Sequence, residues 1–169
     1  MKIMPDLEEQ GGAKLVTLKV NGDEYHLRVE PQETLREVLH DTIGLTGTKE
    51  MCDKGACGSC TVIMDGRPIL SCMTLAIECG GHDIETIEKI NNDNHPLIDA
   101  YADNHAMQCG YCTPGFVVTA KALLDRNQDP SEEDIKSALE GNICRCGTYP
   151  AHIWAVQEAA NKFKDKEAS

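Results

Sequence analysis

Eight of the nine cysteines fall into two groups of four, and this grouping constrains the fold more than any other feature of the chain. The first group is Cys52, Cys57, Cys60 and Cys72, in "MCDKGACGSC" and "SCM"; the second is Cys109, Cys112, Cys144 and Cys146, in "QCGYC" and "CRC". Thiols in this pattern serve a disulfide framework or a metal centre. A disulfide framework belongs to chains matured in an oxidising compartment. The opening stretch "MKIMPDLEEQGGAK" does not read as a secretory signal, because it has no apolar core. The cysteine count is odd and the spacings are short and regular. Reduced thiolates holding metal, in a cytoplasmic protein, are therefore expected. Aromatic residues make up only 4% of the 169 residues, so the core must rest on aliphatic side chains. Two small domains, each stapled by a metal centre, tolerate such a core.

The two groups differ in what their spacing says. The first reads C-x4-C-x2-C-x11-C, the spacing of a plant-type [2Fe–2S] centre. A flat two-iron rhomb needs four thiolates converging from different directions, and a wrapped loop supplies three of them. Gly55 and Gly58 let the backbone pass close to the inorganic sulfides and aim N–H groups at them. A structural zinc site wants two separate C-x2-4-C pairs, which a shared middle cysteine fits poorly. The second group reads C-x2-C followed by C-x-C, and taken alone that spacing suits zinc as well as iron.

The chain changes character near residue 88. Before it, "KLVTLKV" (Lys14–Val20) and "EYHLRVE" (Glu24–Glu30) alternate apolar and polar residues around an "NGD" turn. "ETLREVLHDTI" places Leu35, Val38 and Leu39 on one helical face. "TVIMDGRPILSC" (Thr61–Cys72) reads as a second hairpin, and "HDIETIE" (His82–Glu88) as a strand that closes the sheet. Two hairpins, a crossing helix and a late strand suggest a β-grasp arrangement. "INNDNHP" reads as a linker. Four helical segments follow, in "PLIDAYADNHA", "TPGFVVTAKALLDRN", "SEEDIKSALEGN" and "PAHIWAVQEAANKFKDK". Thr113 is the expected N-cap of the second, with Pro114 at its first position, and Ser131 the N-cap of the third. The fold class is thus α+β: a terminal arm over 1–12, a β-grasp, ferredoxin-like domain over 13–88, and a four-helix cluster-binding bundle over 89–169.

The motifs "GTKEMCDKGACGSCTV", "DGRPILSC", "QCGYCTPGF" and "NICRCGTY", in that order, resemble the iron–sulfur subunit or region of the xanthine oxidase family of molybdenum hydroxylases. The resemblance covers nearly all of residues 13–160. It implies one [2Fe–2S] centre on Cys52, Cys57, Cys60 and Cys72, and a second on Cys109, Cys112, Cys144 and Cys146. It implies that the second lies nearer a molybdopterin cofactor carried by a large partner subunit, with Gln108 and Cys146 as the pterin contacts. It further implies a medium subunit carrying FAD and a dimer of heterotrimers. The chain departs from the family at Met51, where Gly is usual, and in the order Gly147-Thr148-Tyr149 after Cys146. Both leave the cysteines intact and bear only on the adjoining turns.

The remaining residues narrow the reading. With a net charge of −12, nucleic acid is not an expected partner, because phosphate binding needs a basic face. No apolar run reaches membrane-spanning length. Cys79, the ninth cysteine, reads as a small buried hydrophobe, and Trp154 as a core anchor of the last helix. The six histidines show no ligand spacing, and His105, four residues before Cys109, reads as surface or cap. Arg145, between two cysteines, suits either charge compensation or an ion pair. No catalytic residue set stands out. An electron-transfer subunit is expected; the rivals are a free ferredoxin-like carrier and a zinc-stabilised interaction module.

Overall fold

The computed structural model describes residues 2–3 and 12–167. The 1–12 arm lies mostly outside the described residues; of it, β1 (Lys2–Ile3) pairs in parallel with the strand at Tyr25–His26. Strands β2 (Lys14–Val20) and β3 (Asp23–Val29) form the first hairpin. Their alternation buries Val16, Leu18 and Val20 on one strand, and Tyr25, Leu27 and Val29 on the other. Asn21 (φ 56°) and Gly22 (φ 90°) both take left-handed backbone, the two-residue turn whose twist matches that of paired strands. β4 (Thr61–Met64) and β5 (Arg67–Leu70) repeat the device at Asp65 (φ 49°) and Gly66 (φ 76°).

Helix α1 (Leu35–Glu37) opens with a reciprocal cap: Glu37 N–H donates to Thr34 Oγ1 at 3.2 Å and Thr34 N–H to Glu37 Oε2 at 2.8 Å. It continues as a wider helical stretch over Val38–Thr42 and buries Leu35, Val38 and Leu39 beneath the sheet. Strand β6 (Asp83–Glu85) joins the two hairpins, parallel to β2 and antiparallel to β4, in the order β1-β3-β2-β6-β4-β5. It sits in the middle of the sheet, where the sequence suggested only that it closes it. Asn21 fastens this joint: its Oδ1 accepts from Thr86 N–H at 2.8 Å and its Nδ2 donates to Thr86 Oγ1 at 2.9 Å.

Among the described residues five helices follow rather than four: α2 (Ile87–Asn92), α3 (Pro96–Asp103), α4 (Thr113–Leu124), α5 (Glu132–Leu139) and α6 (Tyr149–Glu167). The extra one is α2, which takes the start of the expected linker because Ile90 is drawn into the helical core. Asn94 (φ 50°) then breaks the chain direction. Ser131 caps α5 as expected, in a reciprocal pair with Asp134. The N-cap of α4 is Cys112 rather than Thr113, since Phe116 N–H already donates to Cys112 O at 3.2 Å. Trp154 is not a core anchor and is 57% exposed. The buried stripe of α6 runs through His152, Ala155, Val156, Ala159 and Ala160, and position 154 points away from it.

The described residues form two aliphatic cores. One lies between the sheet and α1, and the other among the helices around Leu97, Tyr101, Phe116, Leu124 and Ile135. Gly115, in the first turn of α4, abuts the backbone of the first cysteine loop. A Cβ there would stand 2.4 Å from Gly58 O and 2.9 Å from Ser59 Cα. Both are backbone atoms, so the contact has no flexible side chain to yield. Gly115→Ala is therefore expected to cost about 2 kcal/mol, read as a lowered Tm in thermal unfolding. Gly141→Ala, which meets nothing within 4 Å, is expected to stay within about 0.5 kcal/mol of the parent.

Candidate metal centres

The first cysteine loop wraps because three of its residues take left-handed backbone: Asp53 (φ 49°), Gly55 (φ 73°) and Gly58 (φ 73°). Hydrogen bonds fix it from within. Lys49 N–H donates to Ser59 O at 3.3 Å, Thr61 Oγ1 to Gly58 O at 2.6 Å, and Ser71 Oγ to Cys60 O at 2.7 Å. Arg36, buried on α1, clamps it from below. Its Nη2 lies 3.0 Å from Glu50 Oε2, its Nε 3.8 Å from Asp53 Oδ1 and its Nη1 3.2 Å from Asp41 Oδ2. Two of those carboxylates flank Cys52, so the clamp holds the loop where its first thiol enters.

Cys52, Cys57, Cys60 and Cys72 converge. Cys52 and Cys57 share a thiol contact, as do Cys60 and Cys72, and Cys72 also feels Cys52 across the group. Desolvation pushes Cys52 up, but the N–H groups of Lys54, Ala56 and Cys57 with the Cys57 thiol outweigh it and bring it to about 7. The Ala56 N–H to Cys52 Sγ distance is 3.3 Å. Burial and the Cys60 thiol push Cys72 up to about 11, with Gly55 N–H acting in the opposite sense. Of the two glycines expected to aim N–H groups inward, Gly55 directs its N–H at the Cys72 thiol.

The second group assembles from two separate segments. Cys109 and Cys112 lead into α4, and Cys144 and Cys146 lie on the turn before α6. Cys109 meets Cys146, and Cys112 meets Cys144. Tyr111 N–H holds the Cys109 thiol below its ordinary value, with Cys146 contributing. Burial pushes Cys112 up to about 12. Cys144 is desolvated too, yet the Thr148 hydroxyl, the Thr148 N–H, the Cys112 thiol and the Gly147 N–H bring it to about 7. Gly147 (φ 83°) turns the chain so that these donors face the sulfur.

The two groups are also bound to each other. Ile143 N–H donates to Cys57 O at 2.9 Å and Asn142 Nδ2 to Gly58 O at 3.1 Å. Ile143 precedes Cys144 in the chain, so one hydrogen bond joins the backbone of the first group to the backbone of the second. Gly58 is required here as well, because a Cβ would stand 2.6 Å from Asn142 Nδ2.

This donor set fits iron–sulfur centres. It consists of soft sulfur ligands, four to a group, ringed by N–H donors. Such donors stabilise a centre that gains negative charge on reduction, a property zinc lacks. Gln108 and Cys109 are exposed and Cys146 is half-buried, beside exposed Met107, Tyr111 and Tyr149. Arg145 and His105 are exposed. Cys79 is fully buried, its thiol donating to Leu75 O at 3.4 Å and pushed up to about 11 by burial.

Sequence reasoning passed over His152. It is fully buried, and its ring stacks on Phe116 at 3.9 Å and 5°. A ring nitrogen lies within 4.8 Å of the sulfurs of Cys112 and Cys144. Burial pushes it down to about 4. The available signal was its position one helical turn after Thr148, itself two residues past the C-x-C pair.

Comparisons with known proteins bear on the chemistry of these cysteines. Residues 14–107 match the family described as "2Fe-2S iron-sulfur cluster binding domain", and residues 86–157 match "[2Fe-2S] binding domain". The nicotinate dehydrogenase small FeS subunit of Eubacterium barkeri is 42% identical over 152 residues, covering 86% of this chain and 97% of the relative. The aldehyde oxidoreductase iron-sulfur-binding subunit of Escherichia coli K12 is 39% identical, covering 88% and 72% respectively. Among solved structures, quinoline 2-oxidoreductase from Pseudomonas putida 86 superposes with a TM-score of 0.86 at 36% identity, over 92% of this chain and 98% of that one. Aldehyde oxidoreductase from Desulfovibrio gigas gives 0.85 at 40% identity, over 90% of this chain and 17% of that one.

The Arg36 clamp generates a direct expectation. Arg36→Met leaves Glu50 and Asp53 unpaired beside Cys52 and loosens the loop by about 1–2 kcal/mol, the carboxylates being half-exposed. Iron loss to a chelator, followed by visible absorbance, is expected to become several-fold faster, with about half the iron lost in the fast phase.

Proposed function

Because the chain belongs to the two-centre iron–sulfur subunits of the molybdenum hydroxylases, the xanthine oxidase family, we propose a specific arrangement for its electron-transfer role. Cys109, Cys112, Cys144 and Cys146 hold the centre that receives electrons from a molybdopterin site on a large partner subunit. Cys52, Cys57, Cys60 and Cys72 hold the centre that hands them on. When bound, each [2Fe–2S] group supplies a one-electron carrier. The chain's own residues do the rest: they supply thiolates, aim N–H groups at sulfur, and keep the two sets in contact.

The observation that carries this reading is the Ile143 N–H to Cys57 O hydrogen bond of 2.9 Å. It gives a short bonded route from Cys144 to Cys57 inside one chain. A free carrier with a single centre has no use for such a joint. The exposed edge at Met107, Gln108, Cys109, Tyr111 and Tyr149 supports docking of the large subunit there, with Gln108 and Cys146 toward the pterin. A Gln amide both donates and accepts, which suits a pterin edge. On this reading residues 13–88 and 89–169 are the two cluster-binding domains. The acceptor is FAD on a medium subunit, the complex is a dimer of heterotrimers, and it works in the reducing cytoplasm. No helix among the described residues is long and apolar enough to cross a membrane.

Purification of the intact complex tests the proposal. About four irons per copy of this chain are expected, together with two distinct EPR signals after reduction. Cys109→Ser and Cys146→Ser are each expected to abolish or reshape one signal, and Cys57→Ser the other. All three are expected to lower turnover by at least about tenfold. Unchanged signals in Cys146→Ser, or about two irons per chain in the parent, would remove the assignment.

A further inference from the structure

We infer that His152 is a positioning residue for the second centre: through Thr148 it fixes a hydroxyl as a donor to Cys144 Sγ and so raises that centre's reduction potential. The inference rests on the ligand assignment proposed above and adds to it a residue that is not itself a ligand.

The geometry is a chain of three groups. Thr148 Oγ1 lies 3.2 Å from Cys144 Sγ and 3.0 Å from His152 Nε2. Thr148 has one hydroxyl proton and two neighbours, so its direction has to be decided by one of them. A ligating thiolate can only accept. The imidazole can donate or accept at Nε2, depending on its tautomer.

Burial decides the tautomer. His152 Nδ1 is buried and has no hydrogen-bond partner among the described residues. A buried N–H without an acceptor costs more than a buried lone pair without a donor. The proton of the neutral ring therefore belongs on Nε2, where Thr148 Oγ1 accepts it. The Thr148 proton is then committed to Cys144 Sγ. The ring cannot easily turn to undo this, since Phe116 stacks on it at 3.9 Å and Tyr101 lies at 5.5 Å.

The consequence is electrostatic. Thr148 hydroxyl, Thr148 N–H and Gly147 N–H all act on Cys144. A donor on a ligating sulfur stabilises the reduced, more negative state over the oxidised one, and so raises the potential. Cys57 and Cys60 of the first group have no comparable hydroxyl donor among the contacts described. The relay thus acts on one centre only, and that selectivity is what a test can read.

The test is an EPR-monitored redox titration of the intact complex, with the first centre as internal reference. Thr148→Val removes the hydroxyl and keeps the shape. The reduced-to-oxidised ratio of the second centre at fixed potential is expected to fall roughly tenfold, a downward shift of about 59 mV for a one-electron couple. Thr148→Ser is expected to retain the parent value. His152→Leu frees the hydroxyl and is expected to move the second midpoint in the same direction as Thr148→Val. His152→Gln, whose amide N–H reaches about as far as Nε2, is expected to restore it. A parent-like second midpoint in Thr148→Val or His152→Leu overturns the relay. So does an equal displacement of both midpoints, or a Gln variant that behaves like Leu. If the parent complex shows only one centre, the ligand assignment fails first and the relay with it.

Discussion

Four sulfur ligands crowded into a desolvated loop repel one another once they are thiolates, and the rest of this structure answers that constraint. Two compensations are available, a cation among the sulfurs and N–H dipoles around them. The dipoles come from the backbone, so the backbone must turn inward and pass close. It does so through Asp53, Gly55 and Gly58 in one loop and Gly147 in the other, all at positive φ. The uneven thiol behaviour follows directly. Cys52 and Cys144, which collect the donors, fall to about 7, while Cys72 and Cys112, which collect burial, rise to about 11 and about 12. Each group thus holds one thiol that collects donors and one that collects burial.

A second constraint is that the two loops must touch. Gly58 faces Asn142 and Gly141, and Gly115 faces Gly58 and Ser59. The first loop is thus met closely on two sides, with Gly58 leaving room for Asn142 and Gly115 leaving room for the loop backbone. Asn142, buried, spends its amide on Gly58 O, and Ile143 spends its N–H on Cys57 O. These are backbone acceptors inside a loop that has few helical or sheet partners of its own. The helical part therefore completes the hydrogen bonding of the first loop as well as holding the second group.

The cysteine spacing, the two turns and the capped helices were legible because each is a local rule. Asn21-Gly22 and Asp65-Gly66 specify their turns, and Ser131 with Asp134 specifies its helix start. What was not legible depends on tertiary placement. Ile90 makes α2 out of an apparent linker because a core exists to receive it. Trp154 has the composition of an anchor but the wrong phase on α6. His152 carries no ligand spacing, and only the fold brings it under Phe116 and beside Thr148. Gly115 reads as an ordinary residue in a Thr-Pro-Gly helix start until Gly58 is seen opposite.

The two groups are unequally exposed. The first group keeps Cys57, Cys60 and Cys72 buried and its loop clamped by Arg36, while Cys109 of the second is exposed among Met107, Gln108, Tyr111 and Tyr149. Water near a sulfur competes with the N–H donors and shifts the potential of whatever the sulfur holds. An exposed edge of this kind is stable in its role only when something dry and complementary covers it. A diffusing carrier would have to tolerate that edge in water between encounters, whereas a fixed subunit needs to cover it once. The apolar side chains at the open edge and the direct joint to the closed group therefore point the same way. Both features belong to a chain of the kind found as the small iron–sulfur subunit of multi-subunit enzymes.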